Sequence, residues 1–176
     1  MNIIPIQIVV DGDAIIKTHG GGGTIDAPIN LGNHTPLVYM FANNSYISNQ
    51  DSGSQGTSAL KVTAQENDAV EWRVEAVNRT NYSPLLAKFE GDKDYLLTPP
   101  RLELMDLKYY IPSDGYEPDS SVTKEFAKDV VMRSVVLGTL AGEPQTVVYT
   151  WVFKLLNRVG KTLGYYKWDP RIIVSN

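Results

Sequence analysis

Val70-Glu71-Trp72-Arg73-Val74-Glu75-Ala76 alternates apolar and charged side chains without a break. Successive side chains of a β-strand point to opposite faces, so Val70, Trp72, Val74 and Ala76 share one face and the three charged residues share the other. This is the pattern of a half-buried strand, with Trp72 in the core. Leu60-Lys61-Val62-Thr63-Ala64, just upstream, has the same period. Asn67-Asp68 between them is good turn chemistry, which predicts a β-hairpin.

The same period extends outward in both directions. Ile4, Ile6, Ile8 and Val10 form one face of an opening strand, and Pro5 places that end at an edge or a strand start because it has no N–H to donate. Residues 37–42 and 85–89 read as strands, and residues 102–110 as another, opened by Pro99-Pro100. The longest apolar stretches, residues 130–140 and 147–156, are joined by Ala141-Gly142-Glu143-Pro144 and predict two long central strands in a hairpin, with Trp151 in the core. Residues 165–168 and 172–174 close the pattern. Helix signals are few: residues 13–17 suit a turn or two, and residues 121–129 read as a short helix or loop behind a capping-box-like Ser120-Ser121-Val122-Thr123. Loops are expected from Gly20 onward, at residues 49–58 and at residues 113–121. The sum is an all-β fold in a single domain over residues 1–176. We expect an antiparallel two-sheet β-sandwich, jelly-roll or Greek-key like, with at most one or two short helices.

Composition narrows the function. The chain has 176 residues, 43% of them hydrophobic, enough to bury a core without disulfides or metals. It has no cysteine, so disulfides and thiolate metal sites are excluded. The net charge is -4 and Lys and Arg are not clustered, which argues against nucleic acid as a partner. The first residues lack the pattern of a signal peptide, and no apolar run reaches the roughly 20 residues that span a bilayer. The expected location is the cytoplasm, with no membrane partner.

Enzyme machinery is not recognisable. His19 and His34 are the available imidazole bases, and neither accompanies a Gly-x-Ser-x-Gly elbow. Gly20 to Gly23 lacks the Lys-Ser/Thr of a P-loop and runs on to Pro28, so a surface loop is expected there rather than a phosphate cradle. Asp11-Gly12-Asp13 and Asp92-Lys93-Asp94 pair carboxylates without EF-hand spacing, and turn formation accounts for the first. Of the three sequons, Asn33-His34-Thr35, Asn43-Asn44-Ser45 and Asn78-Arg79-Thr80, none matters outside a eukaryotic secretory route. The expectation is no catalytic residue, no metal site and no cofactor.

Aromatics offer more. Tyr and Trp join a flat apolar ring to a polar tip, which suits sugar stacking and protein contacts. Tyr165, Tyr166 and Trp168 alternate across both faces of a short strand beside the Asp169-Pro170 turn. Tyr166, Trp168 and Asp169 are therefore the candidate ligand-binding residues, weighed against packing of Trp168 over the end of the fold.

These residues carry a resemblance. Leu163-Gly164-Tyr165-Tyr166-Lys167-Trp168-Asp169-Pro170 with Ile172 resembles the closing "YGYFYWDP-x-I" signature of the bacterial PixA/AidA inclusion-body proteins. Asp68 with Glu71-Trp72-Arg73 is similar to their "GD-x-I-x-WR" strand, and Asn81-Tyr82-Ser83, Pro99-Pro100 and Ile8-Val9-Val10-Asp11 with Ile15-Ile16 fall in the matching order. The four-glycine loop departs from the Asn/Pro-rich stretch of the family, so no ligand role carries over to it. The resemblance implies a small protein of host-associated Gram-negative bacteria. Such proteins are often abundant and regulated by growth phase or cell density, sometimes stored as cytoplasmic inclusions, and have no established catalytic residues. A non-enzymatic protein acting by self-association or storage, as a homo-oligomer, is the leading expectation. The alternative is a lectin-like module that binds carbohydrate or another small ligand through loop aromatics and carboxylates.

Overall fold

The computed structural model describes residues 1–32, 36–112, 122–139 and 142–175. Eleven strands and one α-helix are arranged as two mixed sheets on one core. The first sheet contains β1 (Ile3–Val10), β3 (Val38–Ala42), β5 (Ala69–Ala76), β7 (Arg101–Pro112) and β8 (Val122–Val135), in the order β3-β1-β5-β8-β7. The second contains β2 (Ile29–Asn30), β4 (Lys61–Gln65), β6 (Tyr82–Gly91), β9 (Gln145–Asn157), β10 (Thr162–Trp168) and β11 (Arg171–Ser175), with the order β2-β10-β9-β11-β4 and β6 on the other edge of β9.

Local sequence accounts for the elements. In β1 every second residue, Ile4 through Val10, is buried. The strand ends where Asp11 caps helix α1 (Gly12–His19), its carboxylate accepting the Ala14 amide at 2.9 Å. The helix stops at Gly20, whose φ of 71° is left-handed. β9 buries Val147, Tyr149, Trp151, Phe153 and Leu155 on one phase, while the other phase, with Thr146, Thr150 and Lys154, buries Val152 alone.

The expectation of a purely antiparallel fold is corrected. β1 runs parallel to β5, β2 to β10 and β4 to β11. The reason lies in the links, since the chain changes sheet at seven of the ten connections between successive strands. The expected hairpin of residues 60–64 with 70–76 is such a case, because β4 lies in the second sheet and β5 in the first. The turn at Glu66-Asn67 is an arch between layers, with Asn67 at a φ of 68°. Buried Asp68 holds the arch: Oδ1 accepts the Asn2 amide at 2.8 Å and Oδ2 accepts the Gln65 amide at 3.1 Å.

The expected hairpin of residues 130–140 with 147–156 is corrected for the same reason, since β8 and β9 belong to different sheets. The expected helix or loop at residues 121–129 is strand instead from residue 122 on, within β8, which pairs with β7 from Arg101↔Arg133 to Pro112↔Val122. Good helix formers there were overridden by cross-strand pairing. The expected loop at residues 113–121 lies outside the described residues.

Two strands are nearly one. Trp168 faces Trp151 and Arg171 faces Val148, so β10 and β11 keep a single register along β9 across Asp169-Pro170. Pro170 has no amide, and its carbonyl accepts from Tyr149 N at 3.1 Å, so the line is interrupted only briefly.

Candidate functional site

The core is built from aromatic rings that span the two layers. Trp72 of the first sheet meets Tyr149, Trp151 and Phe89 of the second at centroid distances of 5.4–5.7 Å. Its indole Nε1 donates to the Tyr149 hydroxyl at 3.0 Å. Burial holds the Tyr149 phenol well above its ordinary pKa. Trp151 Nε1, by contrast, is buried without a hydrogen-bond partner among the described residues.

The three candidate ligand residues are placed beside this core. Tyr166 and Trp168 are fully buried, and both rings pack on Phe153 at 5.6 Å. Trp168 Nε1 lies 3.2 Å from Met40 Sδ across the sheets, and the Tyr166 hydroxyl donates to the Gly20 carbonyl at 2.7 Å. Asp169 is half-buried at the β10–β11 interruption, where its carboxylate accepts the Thr150 hydroxyl. Tyr166 and Trp168 thus present no open ring face on which a sugar could stack. Their neighbour Tyr165, on the other phase of β10, is the aromatic that reaches a groove.

The glycine run has a packing role. Gly22 N donates to Leu163 O at 2.9 Å, and Gly22 O accepts from Tyr165 N at 2.8 Å, so the loop lies against β10. A Cβ on Gly164 would meet Gly22 O at 2.3 Å, and one on Gly23 would meet Tyr165 O at 2.6 Å. Close backbone approach requires glycine at these positions. The loop is pinned to the strand rather than loose.

The remaining polar candidates separate. His19 ends α1, with Nε2 buried and lacking a hydrogen-bond partner. His34 lies outside the described residues. Asp11 caps the helix while Asp13 accepts the Tyr82 hydroxyl at 2.9 Å, so the two carboxylates do different work. Asp92 accepts the Val148 amide at 2.9 Å; the Asp94 side chain lies outside the described residues. Among the described residues, no three of His, Cys, Asp and Glu gather closely enough to hold a metal ion. Nor is any described helix long and apolar enough to cross a membrane.

What the sequence reading missed is a surface on the first sheet. β5 pairs with β8 only from Ala69↔Val135 to Trp72↔Met132, so β8 beyond Met132 pairs with β7 alone. The resulting two-stranded arm diverges from β5, and Arg73 bridges the fork to Asp129 at 2.8 Å. Register puts Leu102, Leu104 and Tyr110 on one face with Phe126, Val130 and Met132. Of these, Leu102, Leu104, Tyr110 and Phe126 are 62, 68, 64 and 61% exposed. At the base of the arm this face opens on a groove of about 640 Å³, with Leu85 and Leu86 of β6 as the opposite wall and Tyr165 and Lys154 at its margin. The signal was present as two period-two stretches. It was lost because residues 121–129 read as a short helix or loop.

A comparison with curated proteins finds no match. The crystal structure of an inclusion body protein (PixA) from Burkholderia cenocepacia J2315 superposes with a TM-score of 0.69 at 16% identity, covering 99% of this chain and 96% of that one. The solution structure of Amebosin matches at 13% identity over 66% of this chain and 89% of that one, with a TM-score of 0.25 that supports no shared fold. The family model of the PixA inclusion body proteins matches residues 2–174. With Trp72, the Asp68 arch and the Trp168-Asp169-Pro170 junction in the order the resemblance requires, the chain belongs to the PixA inclusion body protein family.

Proposed function

We propose that this chain is a non-enzymatic protein of the bacterial cytoplasm that works by associating with copies of itself into dense deposits. The observation that carries this reading is the set of exposed Leu102, Leu104, Tyr110, Phe126 and Val130 on one face of the β7–β8 arm, interspersed with Asp106, Lys108, Lys124 and Lys128. Large contiguous apolar patches on a folded surface mark interaction sites, and roughly 300–600 Å² is already the largest patch of a typical monomer. The unpaired outer edges of β7 and β6 add strand surface of the kind that templates association. A net charge of -4 gives copies little reason to repel one another. Membership of a family described as inclusion body proteins agrees with it.

Catalysis has little to draw on. A general base needs an orienting partner, and the buried Nε2 of His19 has none among the described residues. In the groove, the Asp129 carboxylate is neutralised by Arg73. A sugar-binding reading loses its stacking platform with Tyr166 and Trp168 in the core.

Sedimentation velocity across a wide concentration range tests the proposal. The expected result is a mass that rises from one chain to two or more as concentration increases. A single-chain mass persisting at the highest soluble concentration overturns it.

A further inference from the structure

We propose that the fork between β5 and β8 takes up an extended peptide of another protein. The peptide pairs with the free edge of β8 as an added strand and sets acidic and apolar side chains beside the inner face of the arm, the face of Leu102 and Phe126. Such an occupant does not depend on self-association of the chain, and the two are tested apart.

The fork is an opening in the first sheet with backbone hydrogen-bonding groups on both lips. Within a strand, the N–H and C=O of one residue point to the same side, and the side alternates along the chain. Val136 N donates to Asp68 O, toward β5, whereas Val135 N donates to the Thr98 hydroxyl on the β7 side. β8 keeps an unbroken register with β7 from Arg133 to Val122. Val130, Lys128, Phe126 and Lys124 therefore point their amides and carbonyls into the fork. On β5, Ala69 N and Val77 N donate to Asn2 O and Val10 O, on the β1 side. Val74 and Ala76 thus face the fork from the opposite lip. Among the described residues, no strand pairs with these positions across the fork. Val130 N turns instead to the carboxylate of its own neighbour Asp129, at 2.8 Å.

The opening passes through the sheet. A cavity of about 470 Å³ is lined by Gln7, Glu75 and Leu107 from the outer face of the first sheet and by Tyr82 and Pro84 of β6 behind it. The groove of about 640 Å³ continues it on the inner side, since Val74, Pro84 and Asp129 line both. Strand addition draws affinity from main-chain hydrogen bonds and specificity from the pockets that alternate side chains meet.

The lips set the chemistry of the occupant. A strand added to β8 places every second side chain beside Val130, Lys128, Phe126 and Lys124 in turn. The inner face of the arm carries Lys108, Lys124 and Lys128 against Asp106 alone, in a chain whose net charge is -4. Asp106 is taken by Lys128. Among the described residues, Lys108 and Lys124 have no carboxylate partner, nor has Lys154 at the margin of the groove. Carboxylates beside Lys124 and Lys128, alternating with apolar groups beside Phe126 and Val130, complement this edge. The outer-facing neighbours on β8 include Asp129 and Glu125, so acidic groups belong on the inner side only. The stretch from Lys124 to Val130 suits a segment of about seven residues.

The test uses the full chain at a concentration where sedimentation shows a single species. The probe is a terminally blocked peptide with valine and glutamate alternating on one face and threonine on the other. Hydrogen exchange at the fork-facing amides of Val74, Ala76, Phe126 and Lys128 should slow about tenfold or more when it is added. The amides of Leu104 and Asp106, on the outer edge of β7, should keep their rates. A fully N-methylated form of the peptide, which keeps the side chains but cannot donate, should protect nothing. A peptide with lysine in place of glutamate should protect nothing either. Lys124→Glu combined with Lys128→Glu changes two exposed positions and leaves the fold intact. It should weaken the acidic peptide about tenfold or more. Protection confined to the outer edge of β7 or to β6 overturns the proposal, as does equal protection by acidic and basic peptides, or none by either. Slowing at the fork amides when the chain alone is concentrated identifies a second copy as the occupant and overturns it too.

Discussion

At the scale of single residues, tryptophans that look alike in the sequence do unlike work. Trp72 and Trp151 pack together at 5.4 Å, yet Trp72 Nε1 is bonded to the Tyr149 hydroxyl and Trp151 Nε1 has no partner among the described residues. Removing one partner of a buried hydrogen bond strands the other. We therefore expect Trp72→Phe to cost about 2–4 kcal/mol, and Trp151→Phe only about 1–2 kcal/mol from lost packing. Urea unfolding of the two variants checks the order, and equal losses would show that the Tyr149 bond contributes nothing. Asp68 is a second case. Its carboxylate accepts the amides of Asn2 and Gln65 and the Asn2 side chain, tying the N-terminus to the arch. Asp68→Ala is expected to lower stability by about 2 kcal/mol, measured the same way. Asp68 was legible as a turn former, but its partners were not, because one lies 66 residues away.

At the scale of elements, the glycine loop and β10 behave as a unit. The Tyr166 hydroxyl holds Gly20 O, and the Gly22 backbone pairs on both sides of Gly164. Tyr166→Phe should cost about 1 kcal/mol. It should also speed hydrogen exchange at the Gly22 amide relative to that of Leu31, which is bonded to Lys167 further along β10. Unchanged exchange at Gly22 would mean that the loop is held without the hydroxyl. Strands were legible as elements wherever burial was one-sided, as in β1 and β5. The exception was β8, where Lys124, Phe126, Lys128 and Val130 sit on a face that the folded chain leaves exposed. Alternation there has no buried partner to reinforce it, and helix propensity spoke louder.

At the scale of the whole molecule, the phenols make stability depend on alkaline pH. Tyr149 and Tyr166 are raised by burial, and Tyr82 is raised chiefly by its hydrogen bond to Asp13. Above about pH 10 the unfolded chain loses these protons while the native fold retains them, so the unfolded state binds fewer protons and stability falls as pH rises. Below that pH the contribution is fully present. We expect the urea midpoint to fall from about pH 10 upward, and Tyr149→Phe to flatten that fall. An unaltered slope in the variant would exclude burial of Tyr149 as a source.

The sequence by itself determined most of the strands, the Trp72 core, a short helical segment after the first strand and the family. All of these depend on neighbours within a few residues or on motifs read in order. Tertiary structure decided the rest: which strands share a sheet, that short links cross between layers, that Tyr166 and Trp168 turn inward, and that the arm is left bare. The physical reason is that alternation marks an apolar face without naming what will cover it. A period of two is the same for a hairpin, an arch between sheets and an exposed two-stranded arm, and only the path of the whole chain distinguishes them.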